Sequence, residues 1–279
     1  MDQNEWVTGN VAVTIEGIPL QMEMTVPAKP VKPQRMLPVF QQMANSLVDI
    51  SVNAIESAGA KISCKAGCGA CCRQPVPIAE AEVYQIAELV EAMPEPRRTE
   101  TKKKFADAVA HFKSIDWFDR LNEHFAVAKP ATDEEGFKKA IDVVLEYFRE
   151  GIPCPFLENE SCGIHLSRPI ACREYLVTSP AENCSKPTAQ TVNVVDLLIK
   201  PSRTVKAIVN TGKLRGAGFL TLIRALELAE AVPEEFVEKT GERWMADFFS
   251  HLSETRIPKK GIKPPKTKPA AKRPKRKRS

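Results

Sequence analysis

The chain contains no run of about 18 apolar residues, which excludes a membrane-spanning helix. Its opening, MDQNEWVTGN, has an acid at position 2 and no apolar stretch, so no secretory leader is expected. There are only four histidines, and His111, His124 and His251 have no cysteine nearby, so they are read as bystanders to any metal chemistry. No G-x-G-x-x-G turn follows a strand, so the usual sign of a nucleotide-cofactor pocket is missing. Neither a Ser-His-Asp set nor paired carboxylates are visible, and catalytic residues are left unassigned. No internal repeat of 20 to 50 residues is found.

The length of 279 residues suits one large domain or two small ones, and 43 % hydrophobic with 27 % charged residues is enough to build a core without staples. The net charge of +5 conceals two parts. Residues 256–279 carry twelve Lys or Arg and no acid, and the rest carries 28 basic and 35 acidic side chains, a net of −7. The body is acidic and the end is a basic appendage with almost nothing to bury, so disorder is expected there.

Val11 to Pro27 alternates apolar and polar residues around Gly17 and Pro19, the pattern of a β-hairpin. PAKPVKP then forms an extended connector. Helical spacing follows over Pro38–Ser57, Glu80–Met93, Lys102–Phe112 and Gly136–Phe148. Further helices are expected over Val192–Lys200, Ser202–Asn210, Ala217–Ala231 and Glu234–Leu252. The expected fold is mainly α, a helical domain around a cysteine-rich centre, with a short N-terminal β-hairpin. Four parts are expected: residues 1–30, hairpin and linker; 31–190, the metal-binding domain; 191–255, C-terminal helices; 256–279, the basic tail.

All eight cysteines fall in two groups. SCKAGCGACCRQPVP holds Cys64, Cys68, Cys71 and Cys72; the Pro-, Gly- and Asn-rich segment from Gly151 holds Cys154, Cys162, Cys172 and Cys184. Thiolates bind zinc or the iron of an iron–sulfur cluster. Ligands close in sequence are cheaper to assemble, and Gly67 and Gly69 let the backbone bend and aim N–H groups at sulfur. In a cytoplasmic protein, the expected location, thiols stay reduced, and clustered cysteines read as ligands rather than disulfides or simple core thiols. Cys71 and Cys72 are neighbours whose side chains normally diverge, so one of them serves another metal or none. Cys184, in a polar loop, is the outlier. Arg73, Arg168 and Arg173 lie close to cysteines and are candidates to offset thiolate charge; for Arg73 a solvated surface role is an equal alternative. His165, three residues after Cys162, is a candidate second-shell group or nitrogen ligand.

The order C-x3-C-x2-C-C, then C-P-F-L, then Cys162, Arg168, Pro169, Cys172 and Arg173, resembles the YkgJ-type cysteine-cluster family, described as zinc- or iron-chelating proteins. The resemblance covers about Ser63 to Cys184 and implies a metal held by these cysteines. The family usually has Tyr where this chain has His165. Some relatives resemble the flagellin lysine N-methylase, which implies S-adenosylmethionine and a cluster. Three readings stand side by side: a protein that binds zinc or an iron–sulfur cluster, an iron–sulfur-dependent enzyme such as a protein lysine methyltransferase, and an adaptor that grips nucleic acid or another polyanion through the tail. The Cys64, Cys68, Cys71 spacing also occurs in radical S-adenosylmethionine enzymes, but their barrel needs strands that this chain lacks.

Overall fold

Alternating side chains near the start pair into an antiparallel hairpin, β1 (Trp6–Ile15) and β2 (Ile18–Pro27), with Trp6 opposite Pro27 and Ile15 opposite Ile18. The computed structural model describes residues 5–15, 18–125, 134–188, 190–197 and 199–254. Gly17 at the hairpin turn and the basic segment from Arg256 therefore lie outside the described residues. Pairing starts five residues earlier than the expected Val11. Pro19 fits inside β2 because a two-stranded sheet has only edge strands. Val7, Met22 and Met24 turn inward and pack on the core beside Val26.

The connector runs extended to α1 (Pro33–Ser57), whose first residue is a proline, a favoured start because that N–H has no helical partner. The expected start at Pro38 is thus one and a half turns late. Met36, Leu37, Phe40, Met43, Ala44 and Leu47 form the buried stripe. Against it pack α6 (Ile170–Glu174), α7 (Pro201–Ile208) and α9 (Gly241–Glu254). Phe248 stacks on Phe40 with ring centroids 5.5 Å apart. The Trp244 indole N–H donates to the Val31 carbonyl at 3.0 Å, tying α9 to the connector.

A second core joins α2 (Glu80–Glu91) to α8 (Ala225–Ala231) and includes Ile78, Val83, Ile86, Phe105 and Phe156. A third joins α3 (Arg97–Ser114), α4 (Trp117–Phe125) and α5 (Glu134–Glu150). Phe112 and Tyr147 stack there at 4.1 Å, and the Trp117 indole donates to the Val143 carbonyl at 2.8 Å. α4 is an element the periodicity does not announce, since nine residues give too short a window.

Three expectations are corrected, one of them the helix over Glu234–Leu252: α9 begins only at Gly241, and Lys239 before it bridges Val31 antiparallel. Val192–Lys200 is not helical: Val194 bridges Val177 antiparallel, Val195 N–H donates to the Leu176 carbonyl, and Pro201 disfavours helix at Lys200. Ala217–Ala231 is helical only in its second half, after a 3₁₀ turn at Leu222–Arg224. Among the described residues no helix is long and apolar enough to cross a membrane.

Candidate metal centre

Two short segments meet where the α1–α2 connection crosses the loops after α5. Cys154 N–H donates to the Cys72 carbonyl at 2.7 Å, and Ser63 N–H to the Val177 carbonyl at 2.9 Å. Between them a two-residue ladder, β3 (Leu157–Glu158) with β4 (Ser161–Cys162), sets Leu157 opposite Cys162. Gly69 is buried under this ladder. A β-carbon there would stand 2.7 Å from Leu157 Cδ1 and 2.8 Å from the Glu160 carbonyl, so only glycine fits. Gly67 has φ +76°, which a side chain rarely adopts. Arg73 clamps the junction from outside, donating to both Glu160 carboxylate oxygens at 2.7 and 3.2 Å and to the Gly69 carbonyl at 3.1 Å.

The result is one cavity of about 330 Å³ walled by all eight cysteines. Every one is a free thiol. Cys71 and Cys72, adjacent in sequence, both reach it because Cys72 N–H closes a turn on the Gly69 carbonyl. Cys184 is buried on the same wall.

Six of the thiols, Cys64, Cys71, Cys154, Cys162, Cys172 and Cys184, hold their protons tightly. Burial pushes Cys154 up to about 12 and Cys184 up to about 11, with nearby thiols adding to both. Cys172 is raised well above the ordinary thiol range by burial and then by Cys154, Cys162 and Cys71. Cys71 is raised by its hydrogen bond with Cys72 and by burial. Crowded thiols resist ionisation because each new thiolate repels the next. A cation in the cavity reverses that balance.

Arg168 already leans that way. Its guanidinium lines the cavity and favours the thiolates of Cys64, Cys71 and Cys162, and its buried Nε–H has no hydrogen-bond partner. A buried donor without an acceptor is costly unless an anionic group faces it. His165 also lines the cavity but is exposed, and Arg168 above all holds its imidazole below the usual range, hence neutral. Arg173 does not line the cavity. Its donors go to the carbonyls of Leu166 (2.7 Å) and Arg168 (3.3 Å) and to Asn45 Oδ1 (2.9 Å), so it braces the turn that carries Arg168.

Two residues escaped the sequence reading. Tyr175 brings a phenol to the cavity and hydrogen-bonds Cys184. The only sign was an aromatic three residues past Cys172. Glu82 accepts from Ala79 N–H at 2.7 Å and Ile170 N–H at 2.8 Å, pinning the start of α6, and with it Cys172, onto the start of α2. An acid in the first turn of a helix gave no sign of that second bond.

Residues 63–193, a little under half the chain, match the CxxCxxCC family model, described as "Putative zinc- or iron-chelating domain". The matched stretch begins one residue before Cys64 and contains every cysteine. No curated protein and no solved structure matches the chain. The donor set fits such a metal: eight soft sulfurs, a cationic N–H and a dry wall of Phe156, Ile164 and Leu222. Among the described residues, no three His, Cys, Asp or Glu side chains already converge to hold an ion. The cavity therefore gathers thiols without a closed coordination sphere.

Proposed function

We propose that the protein holds zinc or an iron–sulfur cluster in this cavity, with Cys64, Cys68, Cys71, Cys72, Cys154, Cys162, Cys172 and Cys184 as the pool of ligands. One observation carries the reading: all the thiols of the chain, from segments about 80 residues apart, wall a single cavity. Four thiolates satisfy one zinc or one cluster, so eight suffice for two. The bound group would supply a fixed soft-metal centre and the folding energy of ligands that otherwise repel. Arg168 offsets the excess negative charge of the thiolates, and Tyr175 fixes the orientation of Cys184.

On this reading residues 31–190 are the metal-binding unit and 191–255 the helices that buttress it. Free thiols suit a reducing compartment, and we place the protein in the cytoplasm. The test is elemental analysis of protein purified without oxygen. Zinc in a colourless sample identifies a zinc site; iron and sulfide in a brown one identify a cluster and open the enzyme reading. A sample with neither metal that also fails to take up either one overturns the proposal.

A further inference from the structure

A second cavity, of about 390 Å³, lies behind the thiol centre at the start of α7, and Gln74, Val76 and Tyr175 wall both. We propose that it binds a small organic anion, a carboxylate or phosphate ester with an apolar body.

Lys200, Arg203 and Lys206 line one side, and none has a carboxylate within 4.0 Å among the described residues. Lys32, Lys102, Lys113, Lys213 and Lys239 are each paired with an acid at 2.5–2.8 Å, whereas these three meet at one cavity without such a pair. The two carboxylates in the same wall are already engaged. Glu174 takes the Ser202 N–H and hydroxyl, both at 2.6 Å, and Glu82 takes the N–H groups of Ala79 and Ile170. Lys200 and Arg203 still act on Glu174 at longer range, which offsets part of their charge, and Lys206 has no acid acting on it among the described residues. Desolvation lowers the Lys206 ammonium below the usual lysine range, and nothing nearby raises it again. A cavity wall that carries three cations, none of them ion-paired, attracts an anion.

The wall also has apolar groups: Val76, Ile78 and Val195 are buried, and the Phe219 ring meets Lys206 Nζ in a cation–π contact at 5.2 Å. A pocket with a few convergent polar groups on an apolar lining suits a small molecule with one charged end. Such a ligand would be separated from the thiol cavity only by the shared wall. The inference goes beyond the metal reading and does not depend on it.

The experiment is calorimetric titration of the full chain with phenyl phosphate, benzoate and neutral benzamide at one ionic strength. Saturable binding of an anion without binding of benzamide is expected, and the better anion names the ligand class. Arg203→Gln with Lys206→Gln should weaken that binding about tenfold or more, about 1.4 kcal/mol, whereas Lys206→Arg, which keeps the charge, should retain it. Equal binding of benzamide, no saturable binding of either anion, or an unchanged double variant would overturn the proposal. The basic tail is intact in every variant, so binding there would leave the double variant unchanged. Arg203 and Lys206 are both exposed, so the double variant should fold, and if it melts early Arg203→Gln is read alone. Metal content is measured on the same samples, so loss of the metal and loss of anion binding are read separately.

Discussion

At the scale of single residues, a cavity-lining thiol and a buried carboxyl give opposite kinds of evidence. Cys68→Ser replaces a soft ligand by a hard hydroxyl. The metal-to-protein ratio should fall, with a loss of about 2 kcal/mol in the loaded protein, or roughly 4–8 °C in Tm for a chain of this size. Equal metal content in variant and wild type would refute its place among the ligands. Cys184→Ser should also lower the ratio, because the structure buries it on the same wall. Glu82 tests stability against pH. Burial raises its carboxyl from 4.5 to about 7 despite two accepted N–H bonds. A carboxyl raised in the folded state binds a proton the unfolded chain would release, so its contribution is complete below pH 4.5 and is lost as pH rises through about 7. The shift corresponds to about 3 kcal/mol. Thermal melts at pH 5 and pH 8 should show the wild type losing more stability across that interval than Glu82→Gln. Equal losses in the two proteins would remove Glu82 as the cause.

At the scale of elements, the cysteine segments are joined by a close contact rather than by a long interface. Gly69→Ala would drive a β-carbon into Leu157 and the Glu160 carbonyl, and a buried overlap of that kind costs about 1–3 kcal/mol. Metal content should drop although no ligand is touched. Gly67→Ala strains a left-handed turn, but its nearest neighbour is 3.9 Å away, so the overlap penalty is absent. Retention of metal equal to wild type by Gly69→Ala would show that the junction tolerates a shift. The cysteine grouping and the hairpin were legible because spacing and alternation are local signals. α1 and α2 were legible because a long amphipathic stripe repeats many times. Val192–Lys200 misled because its apolar residues serve two partners: Val194 pairs with Val177, and Val195 packs on Val48. The second bond of Glu82 and the approach of Tyr175 to Cys184 join residues far apart or across a turn, and no pattern within one window encodes them.

At the scale of the whole molecule, charge is divided along the chain. The first 255 residues have a net of −7, and residues 256–279 add twelve positive charges with no acid among them. Opposite charges on one chain allow two outcomes: the basic segment reaches outward to a polyanion, or it lies on the acids of its own body. We favour the outward arrangement as a proposal because many body acids are already paired, among them Glu160 with Arg73, Glu227 with Lys113 and Arg224, and Asp247 with Lys239 and Arg243. Removing residues 259–279 should leave metal content unchanged, since the cavity residues all lie before it. Retention on heparin or RNA across a salt series separates the two outcomes. An outward segment holds the full chain at low salt and releases it as ions screen the contact, with a steep slope set by the number of charges engaged, while the shortened chain flows through. The segment has no aromatic residue to stack a base, so retention should not depend on RNA sequence. If both chains flow through alike at low salt, the segment is neutralised by its own body, and its role is to offset the −7 rather than to bind a partner.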